Sequence, residues 1–180
     1  MLKIEDALLL IIDVQEKLFR VIHEKETLLS SLQKLVKGCR LLGVPVLVTE
    51  QNPAGLGPTV PDLAALMPDA IKVTKFSFSC CAESGFIEQL KAMSRRQVLV
   101  CGIESHICVY QTSMDLLAAG YEVQVVSDGI SSRTPQNKKL ALGRLSADGA
   151  KLTGVEMALF ELLRTAKAEH FKAISAIVKA

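Results

Sequence analysis

Four predominantly apolar stretches stand out along the chain, Ala7 to Asp13, Val44 to Thr49, Gln97 to Cys101 and Tyr121 to Val126, the first three apolar at nearly every position. Short runs of this kind, often β-branched, fit strands covered on both faces. Weaker runs at Ile71 to Thr74 and Ala150 to Thr153 predict a fifth and a sixth strand. Between the strands the apolar positions recur with helical spacing. Leu28, Leu32, Leu35, Val36, Cys39 and Leu42 share one helical face, with Thr27 as the expected cap and Gly43 as the stop before Pro45. Ser84 caps a segment running through Met93, Cys108 to Ala119 ends at Gly120, and Gln136 to Ala147 ends near Gly149. Two more helices, around Gly154 to Leu163 and Thr165 to Val178, close the chain.

Strands that alternate with helices imply right-handed crossovers, a parallel sheet and helices on both of its faces. The expected architecture is therefore a three-layer α/β fold, formed by residues 1–180 as one domain. In such sheets ligands bind beyond the carboxyl ends of the strands.

Composition narrows the class. The chain is 49% apolar and 22% charged, as a globular protein is and a disordered one is not. Its net charge of +2 is spread without a basic tract, so neither nucleic acid nor an anionic membrane is the expected partner. No apolar run reaches membrane length and the first residues do not resemble a signal peptide, which makes a cytoplasmic location the default. The five cysteines, Cys39, Cys80, Cys81, Cys101 and Cys108, are an odd number without a C-x-x-C pair and read as reduced thiols. The apolar residues between Leu159 and Val178, among them Phe160, Leu162, Leu163, Phe171, Ile174 and Ile177, exceed what a lone surface helix needs and predict self-association.

Three residues at strand ends carry candidate chemistry. Asp13 closes the first strand, where a carboxylate can act as a general base or merely cap the next turn. Lys75 follows the weak fifth strand, a position where most lysines are solvated. Cys108 follows the stretch Cys101-Gly102-Ile103-Glu104-Ser105-His106-Ile107, a glycine turn leading into a helix. A helix start favours a thiolate and offers N–H groups to an oxyanion, although a single cysteine is commonly apolar filler. On one sheet edge the three would make a nucleophile, a base and an electrostatic partner.

In these residues the chain resembles the isochorismatase-like hydrolase superfamily, which includes nicotinamidases, N-carbamoylsarcosine amidases and ureidoacrylate amidases. The ordered matches are Asp13-Val14-Gln15, Lys75 with Phe78-Ser79, Gly102 to Cys108, Gln111-Thr112, Asp115-Leu116-Leu117, Gly120, Asp128 and Ser132-Arg133. The resemblance implies a six-stranded parallel sheet, a catalytic triad of Asp13, Lys75 and Cys108, and a cis peptide before Glu104. On this reading the backbone N–H groups of Glu104 and Cys108 form the oxyanion hole, while Gln15, Leu18, Phe78, His106 and Ile107 line the substrate pocket.

Metal-binding relatives resemble one another in an Asp-x-His motif after the second strand, whereas this chain reads Thr49-Glu50-Gln51-Asn52. His23, His106 and His170 lie elsewhere without ligand spacing. No metal or cofactor is therefore expected. The stretch from Gln51 to Thr59 lacks the lysine and hydroxyl of a phosphate loop and reads as an ordered loop beside the site. The expected activity is hydrolysis of an amide or ureido C–N bond in a small molecule by a homo-oligomer. The alternatives are a vinyl-ether or ester hydrolase and a catalytically silent scaffold or binding subunit.

Overall fold

A computed structural model describes residues 1–180. The strands are β1 (Ala7–Ile12), β2 (Val46–Gln51), β3 (Ile71–Lys75), β4 (Gln97–Ile103), β5 (Glu122–Ser131) and β6 (Lys151–Thr153). They form one all-parallel sheet in the order β3-β2-β1-β4-β5-β6. The helices are α1 (Glu16–Phe19), α2 (Lys25–Leu41), α3 (Pro53–Leu56), α4 (Pro61–Ala64) and α5 (Ser84–Ala92), followed by α6 (Tyr110–Ala118), α7 (Pro135–Ala147), α8 (Val155–Leu163) and α9 (Phe171–Lys179).

The unbroken apolar runs follow from burial on both faces. Successive side chains of a strand point to opposite sides. Leu9 and Ile11 of β1 enter a core of 28 buried residues built with α2, α8 and α9, whereas Leu8, Leu10 and Ile12 enter one of 18 built with α5, α6 and α7. With cores on both sides of the sheet, the fold has three layers.

Strand order reverses between β1 and β4, the switch point at which doubly wound sheets open a crevice. The residues that follow these two strands flank that crevice. β4 approaches β1 so closely there that a Cβ on Gly102, whose φ is +116°, would sit 2.1 Å from the Ile12 carbonyl oxygen. Glycine is the residue that tolerates both the approach and the dihedral.

Several expected boundaries move. α2 begins at Lys25, because left-handed Glu24 (φ 52°) turns the chain and its carbonyl accepts from Leu28 N; Thr27 lies inside the helix and is not its cap. Ser84 is the first residue of α5, and the capping position belongs to Glu83. A π-helical turn, Ser105–Val109, contains Cys108 and leads into α6. β5 runs on to Ser131 past the polar Ser127 and Asp128, with a shift of register against β4 between Val100 and Gly102.

The closing segment buries much of its apolar surface within the chain itself. Leu159, Leu162, Leu163 and Ile174 are buried in the core beside α2, with Phe160, Phe171, Ile177 and Val178 packed against it. The Phe160 and Phe171 rings meet edge to face at 6.2 Å. The expectation of self-association thus loses the observation on which it rested. No helix is long and apolar enough to cross a membrane.

Candidate active site

Asp13, immediately after β1, is fully buried with a left-handed backbone (φ 54°), uncommon for a residue with a side chain. Two bonds to β2 hold it: its amide donates to the Thr49 carbonyl at 3.1 Å, and the Thr49 hydroxyl donates to Asp13 Oδ1 at 2.8 Å. Lys75, the last residue of β3, is also fully buried. Its Nζ lies 2.7 Å from Asp13 Oδ2 and donates to Gln51 Oε1 at 2.7 Å and to the carbonyls of Ser77 and Phe78 at 3.0 and 3.2 Å. The ordinary expectation for a lysine after a strand, a solvated ammonium, does not hold here. Burying two charges costs several kcal/mol per ion even when they pair, so such a pair is a poor device for stability alone.

Cys108 is 6% exposed in the π-helical turn after β4. It lies close enough to Asp13 and Lys75 for both charges to act on its thiol. Burial first, and the Asp13 carboxylate second, push that thiol up to about 12 against a weaker downward pull from Lys75. This corrects the expectation of a thiolate favoured by a helix start. For Lys75, burial works against the charged form, but Asp13, Cys108 and Cys80 more than offset it, and its pKa rises. Burial thus favours the neutral form of the Cys108 thiol, while the neighbours of Lys75 favour its charged form.

The peptide Ile103–Glu104 is cis. The Glu104 carbonyl accepts from Ile107 N and Val109 N but not from Cys108 N between them, a consequence of the wider turn. The Glu104 carboxylate is held by the backbone and side-chain Nε of Arg133, both 3.1 Å from Oε2.

The expected pocket residues divide. Gln15 is fully buried and its polar atoms are all engaged: Nε2 donates to the carbonyls of Gln51 and Gly57, and Oε1 accepts from Gln51 N. It braces the loop from Gln51 to Thr59 and has no free group to offer a substrate, which corrects its assignment. Leu18 is half-buried against the core beside α2, and Ile107 against the opposite core. His106 Nδ1 pairs with Ser132 Oγ at 3.0 Å. Phe78 is 56% exposed beside Phe76 at 71%, on a loop pinned by the Lys75 ammonium and by Glu83, which accepts from Phe76 N and Ser77 N.

Sequence reasoning missed Thr49, Gln51 and Cys80 around the ion pair. The available signal was a polar side chain at the carboxyl end of an apolar strand, where Thr49 ends its run. The potential metal ligands at the end of β2 are otherwise occupied. Glu50 accepts from the backbone and hydroxyl of Thr59, and Gln51 accepts from Lys75. No group of three or more His, Cys, Asp or Glu side chains is placed to hold a metal ion.

A doubly wound parallel sheet with a buried Asp–Lys pair and a cysteine at its switch point defines the class as an α/β protein with its polar cluster beyond the carboxyl ends of the strands. Residues 7–157 match the isochorismatase domain model, and the chain belongs to the isochorismatase family of hydrolases. It is 40% identical over 180 residues to isochorismatase domain-containing protein 2 of Danio rerio, covering 98% of this chain and 89% of that one. Among solved structures, the MAR1 ribonuclease of Caenorhabditis elegans superposes with a TM-score of 0.94 at 32% identity, covering 99% of this chain and 92% of the other. YcaC of Pseudomonas aeruginosa, solved with hexane-2,5-diol and covalent acrylamide, superposes with a TM-score of 0.91 at 25% identity, covering 99% and 94%.

Proposed function

We propose that the chain is a cysteine hydrolase that cleaves an amide or ureido C–N bond in a small molecule, with Cys108 as nucleophile, Asp13 as general base and acid, and Lys75 as fixed cation. The observation that carries this reading is the fully buried Asp13–Lys75 pair, 2.7 Å apart, beside the Cys108 thiol.

As sulfur attacks the carbonyl carbon, the thiol proton passes to the Asp13 carboxylate, so a thiolate need not accumulate beforehand. The oxyanion is received by the N–H groups of Glu104 and Cys108, donors of a kind worth about 3 to 4 kcal/mol when well aimed. Glu104 N donates to no protein acceptor, and the Glu104 carbonyl passes over Cys108 N, which supports this role for both. Asp13 then gives the proton to the leaving nitrogen, and a thioester (from an amide) or a thiocarbamate (from a ureide) remains on Cys108. Water attacks it with Asp13 again taking a proton, and the acid departs as the thiol reforms. Lys75 keeps its proton throughout, held among four oxygens, and offsets the charge on Asp13.

Phe78, His106, Ile107 and Leu18 are the proposed pocket walls. The covalent acrylamide in the Pseudomonas aeruginosa relative supports a reactive nucleophile in this family, since thiols add to acrylamide. A reduced, cytoplasmic setting agrees with five unpaired cysteines. Residues 1–180 act as one domain in this proposal, and the chain self-associates through its exposed apolar residues.

An ammonia-release screen of amides, ureas and carbamoyl compounds, run beside Cys108→Ala, tests the reaction. A hit abolished in Cys108→Ala is expected. Turnover that persists in this variant, or cleavage confined to an RNA oligonucleotide or to isochorismate included in the panel, overturns the proposal.

A further inference from the structure

The proton acceptor of the proposed reaction has a second layer behind it. Thr49 is fully buried and touches Asp13 twice, through its backbone carbonyl and its hydroxyl. Behind Thr49 lies Cys80, also fully buried, whose Sγ donates to Thr49 Oγ1 at 3.8 Å. Burial pushes the Cys80 thiol up to about 11, with Lys75 pulling it down less strongly, so it remains a donor at neutral pH. A threonine hydroxyl has one proton and two lone pairs. With one lone pair taken by the Cys80 S–H, its proton points to Asp13 Oδ1.

We propose that Thr49, oriented by Cys80, is the positioning residue of Asp13: its hydroxyl holds Oδ1 while the Lys75 ammonium faces Oδ2, and the two together fix the plane of the carboxylate that exchanges protons with Cys108. The inference rests on the reading of Asp13 as the base and adds what fixes its carboxylate. Neither Thr49 nor Cys80 touches the reacting atoms in this account. The charged and titratable groups facing Asp13 are Lys75 from β3, Cys108 from the π-helical turn and Cys80 from the 3₁₀ turn Cys80–Ala82. The donor to Oδ1 is the Thr49 hydroxyl.

The test uses the full chain with ¹³C-labelled aspartate carboxyl carbons, the Asp13 signal being identified by its loss in Asp13→Asn. Thr49→Val keeps the β-branched shape that suits a buried strand but removes the donor. It is expected to displace the Asp13 carboxyl signal at pH 7. It should also move the acid limb of Cys108 alkylation by iodoacetamide up by about one pH unit, so that alkylation on that limb is roughly tenfold slower than in the parent. Thr49→Ser, which restores the hydroxyl, returns both readouts to the parent values, and Cys80→Ala moves them in the direction of Thr49→Val by a smaller amount. Should Thr49→Val fail to fold, Thr49→Ala and Cys80→Ala carry the same comparison. An unmoved carboxyl signal, or an acid limb that coincides with the parent's, overturns the clamp. If Cys108 of the parent resists the reagent altogether, the nucleophile assignment fails, and the clamp stands or falls on the carboxyl signal alone.

Discussion

At the scale of single residues the site is an arrangement of charges that only their mutual company makes tolerable. Removing the cation from a buried pair leaves an uncompensated carboxylate, which typically costs about 3 to 5 kcal/mol. Lys75→Met should therefore lower stability by that order in urea denaturation at pH 7, and Asp13→Asn combined with it should recover part of the loss. The buried thiols set a pH dependence. Cys39 is pushed up to about 12 and Cys101 well above its ordinary value, both by burial, while an unfolded cysteine ionises near 9. Between those values the folded state holds protons that the unfolded state has released, so stability falls as pH rises, by about 1.4 kcal/mol per unit for each such thiol. Lys75, raised above its ordinary value, adds loss of the same sign at still higher pH. Denaturation midpoints should thus decline from pH 9 upward, and Cys39→Val should flatten the slope; a midpoint flat to pH 11 would refute this. The candidate residues were legible because each follows a strand that is itself legible. Their protonation was not, because desolvation depends on the fully packed surroundings of Cys108, which a strand-end position does not reveal.

Elements decide where those residues stand. Gly102→Ala would drive a Cβ into the Ile12 carbonyl next to Asp13 and strain a backbone at φ +116°. We expect it to cost several kcal/mol, read as a large drop in melting temperature or as insoluble expression. The loop after β2 depends on Gln15, whose three part-buried hydrogen bonds tie it to Gln51 and Gly57. Gln15→Leu should leave these backbone groups unsatisfied and open residues 51–59 to limited proteolysis, with protection unchanged elsewhere. Strand cores were readable from apolar runs, whereas the start of α2 was missed by three residues and that of α5 by one. The cause is specific: Glu24 enters α2 through a left-handed turn that no side-chain cap signals, and Glu83 turns its carboxylate to the Phe76–Ser77 backbone instead of capping α5. The π-helical turn was hidden because its sequence, Ser105–Val109, also suits an ordinary helix start.

For the whole molecule, alternation of strand and helix was enough to give a parallel sheet with helices on both faces, and the switch point between β1 and β4 then gave the site its place. The apolar closing helices misled. Amphipathic spacing does not say whether the covering surface is another chain or, as here, α2 and its neighbours. Exposed Phe76, Phe78 and Met157 are better candidates for contact between copies. Light scattering at micromolar concentration should give a mass above that of the 19.5 kDa chain, reduced in Phe76→Ser with Phe78→Ser. A parent that scatters as a monomer removes self-association from the account.

The central claim is that Asp13 makes a buried, otherwise protonated Cys108 nucleophilic. Limiting iodoacetamide at pH 7 followed by peptide mass mapping of the five cysteines, in the parent and in Asp13→Asn, tests it directly. The account predicts first labelling at Cys108 in the parent, ahead of the more accessible Cys81, and loss of that preference in Asp13→Asn. First labelling at Cys81, or a Cys108 rate that does not change with Asp13→Asn, would contradict it.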